Sequence, residues 1–168
     1  MNAPYRIELA RSADAEAIAA MSRDAIEQGL GWRWTRERVL RALRDRAVNV
    51  IVARTDVGRI IGFSIMRYDD AGDAEAAHLL LFAVSAAHRR RGIGTALLRW
   101  LEATALTAGI GIICLEARIT NHEARAFYQH HGYREVARVR GMYRGIEDGI
   151  KIAKDLWAAA PDASRTSI

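Results

Sequence analysis

The spacing of apolar positions divides this chain into short strands and amphipathic helices. Tyr5-Arg6-Ile7-Glu8-Leu9 alternates apolar and polar residues, the period of a half-buried strand. After Ser12 and Asp14, either of which suits a helix N-cap, Ile18, Met21 and Ile26 predict a helix. Gly29-Leu30-Gly31-Trp32-Arg33-Trp34 breaks that pattern with a glycine-rich aromatic loop, and Thr35 caps a second helix carrying Val39, Leu40 and Leu43. Val48 to Arg54 and Ile60 to Tyr68 form a hairpin about the turn Asp56-Val57-Gly58-Arg59. Asp69 to Ala76 reads as a loop. His78 to Val84 is a nearly unbroken apolar run, as in a buried strand. Thr95 to Glu102 carries a strong helical pattern, which Gly109-Ile110-Gly111 ends. Ile112 to Arg118 predicts a strand, Asn121 to His131 a short helix, and Tyr133 to Arg140 and Gly149 to Leu156 the last two strands. With no internal repeat or linker, residues 1–157 make one domain, and 158–168 reads as a flexible tail.

Length and composition narrow the class. A chain of 168 residues can bury a real core, and 51% apolar with 27% charged residues is the balance of a soluble globular protein. No apolar run approaches a membrane span and no secretory h-region opens the chain, so a cytoplasmic location is expected, with no membrane partner. The lone Cys114 lies in an apolar run and reads as a small buried strand residue, compatible with a reducing cytosol. A net charge of +5 admits anionic ligands. Arg36, Arg38, Arg41, Arg44 and Arg46, however, read as one solvated helix face. No basic stretch interleaved with aromatics and no zinc spacing occurs, so neither a nucleic-acid partner nor a metal is expected, His130-His131 included.

The segment with most chemical content is Arg89-Arg90-Arg91-Gly92-Ile93-Gly94-Thr95. It joins a predicted buried strand to a predicted helix. Glycines there let the backbone curl and let a ligand approach bare amides. The unpartnered N–H groups at the helix start, its positive dipole end and three arginines together make a cradle for a pyrophosphate. A P-loop run is absent. The dinucleotide fingerprint also fails, because Leu97 stands where its third glycine belongs.

Arg89, Gly92 and Gly94 fill the fixed positions of [QR]-x-x-G-x-[GA], and the segment resembles the acetyl-CoA loop of the GNAT superfamily of N-acetyltransferases. Leu115-Glu116, Arg118, Asn121, Ala124, Phe127-Tyr128 and Gly132-Tyr133 resemble the second GNAT signature position by position. The two motifs cover His78 to Tyr133; the first half of the chain is similar only in its order of elements. The resemblance implies an α/β fold of the GNAT type. Its central sheet is mostly antiparallel with six to seven strands, splays between the fourth and fifth, and is flanked by four helices. The implied cofactor is acetyl-CoA, with CoA as product.

The implied reaction is direct acetyl transfer to an amine in a ternary complex. A backbone N–H at Val84, with Phe82 and Ala83 beside it, would polarise the thioester carbonyl. Tyr128 matches the family's proton donor to the departing thiolate, although it could instead pack its ring and bond the cofactor. Asn121 would contact the pantetheine arm, cap its helix, or both. An amine near pKa 10.4 must lose a proton. Glu116 matches the base of the ribosomal-protein alanine acetyltransferases, which the second half of the chain resembles. On a strand it would share a face with Cys114 and Arg118, and an ion pair with Arg118 or another arginine is an equal reading. His78 is the rival base, on a strand face that alternation shares with Leu80, Phe82 and Val84. A water relay would need neither residue.

The acceptor pocket would draw on Trp32 and Trp34, as a lid or as core packing, and on Tyr143 in the last hairpin. Tyr143 and the following Glu147-Asp148 resemble the alanine-acetyltransferase ending. A peptide or protein N-terminal amine is therefore the expected acceptor, with a small-molecule amine as the alternative. A non-catalytic acyl-CoA sensor remains open, as does a homodimer.

Overall fold

Thr35 shows how locally the elements are specified: its hydroxyl accepts the Arg38 N–H at 3.4 Å and starts the second helix. In the computed structural model, which describes residues 4–68 and 76–158, the elements run in the expected order. They are β1 (Tyr5–Leu9), α1 (Ala15–Ala25), α2 (Arg36–Arg44), β2 (Val48–Thr55), β3 (Ile60–Tyr68) and β4 (Ala76–Val84), followed by α3 (Ile93–Thr107), β5 (Ile112–Arg118), α4 (His122–His130), β6 (Arg134–Tyr143) and β7 (Glu147–Asp155). The strands form one seven-stranded sheet in the order β1-β2-β3-β4-β5-β7-β6. Only β4 and β5 pair in parallel. This is the mixed sheet expected. Among the described residues no helix is long and apolar enough to cross a membrane.

Each sheet face carries its own core. Helices α1 and α2 bury Ile18 and Val39 against Val50, Val52, Phe63, Ile65 and Leu81. Helix α3 buries Leu97, Leu98 and Leu101 against Ile51, Met66, Leu79, Ile113 and Leu115, with Tyr128 of α4 in the same cluster. Each fully buried side chain of this size is worth about 1.5–3 kcal/mol, which outweighs weak local propensity.

The β4–β5 pair is short. It runs from Ala76 opposite Ile112 to Leu79 opposite Leu115, and beyond that the strands part. One residue is extra at the same level: Met66 faces Leu79 while Ile65 faces Leu81, so Leu80 forms a bulge. A bulge reverses the alternation that follows it. Leu79 accordingly packs on the α3 side, whereas Leu81 packs on the α1–α2 side. The expectation that His78 shares a face with Phe82 and Val84 is thereby corrected. Those two pack on the α3 side, and His78 lies on the α1–α2 side with Leu80.

Several boundaries also differ. Asp14 stands at the N-cap of α1, but its side chain does not cap; it takes the Arg11 N–H at 2.8 Å and Nη2 of Arg54 at 2.7 Å. Helix α3 ends as its glycine predicts: left-handed Gly109 (φ 78°) sends its N–H to Leu106, and Ile110 reaches back to Ala105. Strands β6 and β7 meet closer to their turn than expected, because Tyr143 still pairs with Glu147. Ala76, expected in a loop, opens β4; the rest of that loop, and the expected tail beyond Ala158, lie outside the described residues. Cys114 is half-buried rather than buried, its thiol directed at the Ala77 carbonyl.

Candidate active site

The β4–α3 turn has the backbone shape that its glycines predict. Gly92 takes the left-handed conformation (φ 80°) at the N-cap of α3, with open space where a Cβ would sit. Arg90, two residues earlier, is also left-handed (φ 61°), an uncommon conformation for a side-chain-bearing residue. The first helical bond runs from the Ala96 N–H to the Gly92 carbonyl, and no side chain caps the helix. The N–H groups of Ile93, Gly94 and Thr95 therefore lack helical partners. Three successive arginines precede them, so the donor set fits an anionic diphosphate. Arg89 additionally approaches the Val84 carbonyl (3.4 Å) and Glu123 (3.7 Å).

Gly94 is needed for packing: an added Cβ would lie 3.2 Å from the Phe127 ring. Phe127, Phe82 and Tyr128 form one aromatic cluster, with centroid separations of 5.3 to 6.1 Å. Burial pushes the Tyr128 phenol well above its ordinary pKa, so it stays protonated at neutral pH. Asn121 caps α4, accepting the Ala124 N–H at 3.1 Å. Thr95 is tied to α4 as well, its hydroxyl 2.9 Å from Nε2 of His131. Nδ1 of that ring lies 2.7 Å from the Phe127 carbonyl, which can only accept. Nδ1 therefore carries a hydrogen, and in the neutral ring Nε2 accepts from Thr95. Along β4, the Ser85 N–H bonds the Ile61 carbonyl of β3. Strand alternation then turns the Val84 N–H toward the edge that β5 has left.

On the other sheet face, the two candidate bases meet. Nε2 of His78 lies 2.5 Å from Oε2 of Glu116, across the last paired stretch of β4 and β5. Because a carboxylate only accepts, the imidazole Nε2 donates. The alternative of a Glu116–arginine pair is not adopted: Arg118 binds Glu147 at 2.7 Å, and Glu147 also accepts from the Thr120 hydroxyl. Tyr143 completes the cluster. Its phenol is pushed up to about 12, first by burial and then by the negative charge of Glu116.

The α1–α2 loop forms the wall of this cluster. Arg118 Nη1 donates to the Gln28 carbonyl at 2.8 Å, and Arg144 Nη1 to the Gly29 carbonyl at 3.1 Å. Trp34 packs on the α1–α2 core beneath the Arg38 guanidinium, 4.3 Å from its ring. Trp32 is exposed beside Arg23. The two tryptophans thus do not form a common surface, and Arg38 is not part of a purely solvated face. Glu27 and Arg144 shape this region although the sequence pattern gives neither a role, and Arg118, expected beside Glu116, holds the loop instead. A glutamate ahead of a glycine-rich loop is the one local signal, and nothing in the chain's periodicity marks it.

The sequence pattern of the Acetyltransferase (GNAT) family matches residues 15–133. Over 104 residues the chain is 38% identical to an uncharacterized N-acetyltransferase of Methanocaldococcus jannaschii, a match covering 61% of this chain and 64% of that protein, just under two thirds of its length. It is 28% identical over 161 residues to an N-alpha-acetyltransferase of Sulfurisphaera tokodaii, covering 90% of this chain and 93% of that one. Its fold is similar to the crystal structure of the ribosomal-protein-S18-alanine N-acetyltransferase from Escherichia coli, with a TM-score of 0.77 at 21% identity over 98% of this chain and 100% of that one.

Proposed function

The chain belongs to the GNAT acetyltransferase family, and from that membership we propose that it is a cytoplasmic, acetyl-CoA-dependent N-acetyltransferase acting on the N-terminal amine of a peptide or protein. The observation that carries this reading is the Glu116–His78 pair beside the point where β4 and β5 part. It lies on the face that the α1–α2 loop and the β6–β7 hairpin enclose, as an acceptor cleft requires. The α-amine acceptor follows the name of the S. tokodaii relative.

Bound acetyl-CoA would supply an activated thioester, its diphosphate held by the amides of Ile93, Gly94 and Thr95 and by Arg89, Arg90 and Arg91. The Val84 N–H polarises the thioester carbonyl from the open strand edge. Glu116 receives the proton of the acceptor amine, and His78 fixes its carboxylate by donating from Nε2. Tyr128, kept neutral by burial, gives its proton toward the departing sulfur from the other side of the split. Tyr143 bounds the acceptor amine's pocket.

Calorimetric titration with acetyl-CoA and CoA, with NAD and ATP as controls, tests the cradle. Thiol release in the presence of short peptides tests the acceptor. Selective CoA binding with peptide turnover is expected. Well-folded protein that does not bind CoA overturns the reading. CoA binding with turnover of small amines alone replaces the peptide acceptor, and binding without turnover of any amine leaves an acyl-CoA sensor.

A further inference from the structure

Glu27 is a charged side chain placed inside the protein, 8% exposed, at the point where α1 gives way to the loop. Each of its contacts serves that loop. The Ser22 hydroxyl donates to Oε2 at 2.9 Å, the Arg33 N–H to Oε1 at 2.7 Å, and the Trp34 N–H lies within 3.3 Å of both oxygens. The carboxylate therefore joins the two ends of a segment that turns twice through left-handed glycines, Gly29 and Gly31, each with φ 76°. Between those ends, the Gln28 and Gly29 carbonyls receive Arg118 and Arg144. Arg118 stands on the same strand face as Glu116, two residues along β5. A loop closed on Glu27 presents these carbonyls in one arrangement, and a loop without that closure leaves the part-buried N–H groups of Arg33 and Trp34 without their carboxylate acceptor.

We infer that Glu27 is the positioning residue of the acceptor cleft, holding the α1–α2 loop against Arg118 and Arg144 so that the wall facing Glu116 is formed before the acceptor arrives. The inference rests on the reading of that cleft as the acceptor site. It makes Glu27 act on acceptor binding and not on the cofactor, whose cradle belongs to the β4–α3 turn.

The test compares Glu27→Ala, Glu27→Gln and Arg144→Ala by peptide KM, kcat, CoA affinity and amide hydrogen exchange across residues 28–34. Glu27→Ala should raise peptide KM by about tenfold or more, as expected when two part-buried N–H donors lose a charged acceptor, and leave CoA affinity within about twofold. Exchange at Arg33 and Trp34 should accelerate. Glu27→Gln should recover most of the loss, since its amide oxygen still accepts both N–H groups and its NH2 can donate to the Ser22 hydroxyl. Arg144→Ala, a surface change that does not threaten folding, should raise peptide KM and loop exchange in the same direction. The inference is overturned by unchanged loop exchange in Glu27→Ala, or by peptide KM and CoA affinity worsening together. If Glu27→Ala does not fold, unchanged peptide KM and loop exchange in Arg144→Ala overturn it. Exchange needs no turnover, so an inactive wild-type protein would defeat the peptide reading while the loop inference is still decided.

Discussion

His78 and Glu116 lie 38 residues apart in sequence, yet one hydrogen bond makes them a unit. Each was legible from the sequence as a candidate base. Their meeting was not, because it depends on the parallel register that sets His78 beside Cys114. With Glu116 as proton acceptor and His78 as its support, Glu116→Gln should lower kcat by about 10²-fold while sparing CoA affinity, and His78→Ala should lower it less. Steady-state kinetics on the peptide panel check this; equal losses would give the imidazole a direct role. Tyr128→Phe should also lower kcat with CoA affinity nearly unchanged, and a wild-type rate would reduce Tyr128 to packing. Tyr143 offers a spectroscopic check of the same cluster. Its phenol is held up near 12 against an ordinary 10 by burial and the Glu116 charge. Because the folded value is raised, its contribution to stability is complete below pH 10 and is lost as pH rises from 10 toward 12. Ultraviolet titration should show a late phenol that Tyr143→Phe removes and that Glu116→Gln brings closer to 10.

At the scale of elements, periodicity and punctuation carried most of the information. Strand β1 and the turn after β2 fall where apolar alternation and glycine put them, and Gly109 ends α3 as expected. Two features escaped, both for tertiary reasons. The Leu80 bulge leaves no mark in an apolar run, where every residue looks alike. Asp14 has the right type and place for a cap, but a buried Arg54 offers its carboxylate a stronger, charge-assisted partner. The β4–α3 turn was the most legible element, and its two glycines have separable roles. Gly92 is left-handed with open space around it, whereas Gly94 lies under Phe127. Gly92→Asp should therefore cost about 1 kcal/mol of backbone strain and lose most CoA affinity through charge and obstruction. Gly94→Ala should press on the Phe82–Phe127 cluster and lower thermal stability, since its Cβ would lie within 3.3 Å of two Phe127 ring atoms. Calorimetry paired with thermal melts separates them; unchanged CoA binding by folded Gly92→Asp would put the diphosphate elsewhere.

For the molecule as a whole, the first strand and first helix are joined to the sheet by a charge that a sequence pattern assigns to solvent. Arg54 sits in β2 with a side chain only 7% exposed, binding Glu8 of β1 and Asp14 at the start of α1. Burial raises the Asp14 pKa, but Arg54 and the Arg11 N–H outweigh it and hold it below the ordinary value. Glu8 is lowered further, to about 2, chiefly by Arg54 and then by Arg6. Both folded values are depressed, so the stabilisation is complete above the ordinary carboxylate range and is lost as pH falls from about 4.5 toward 2. Arg54→Ala removes the guanidinium that hydrogen-bonds both carboxylates and leaves buried Asp14 with the Arg11 N–H and the Arg11 charge alone. The variant should lose about 3 kcal/mol at neutral pH, the scale of a broken buried pair. Its acid limb should also be shallower, because Asp14 and Glu8 lose their shared guanidinium while Arg6 and Arg11 still hold Glu8 down. Urea unfolding from pH 7 down to 2 reads both effects together. Coincident curves for the two proteins would mean that the triad adds nothing to the joining of β1 and α1, and that apolar burial on the α1–α2 face holds them alone.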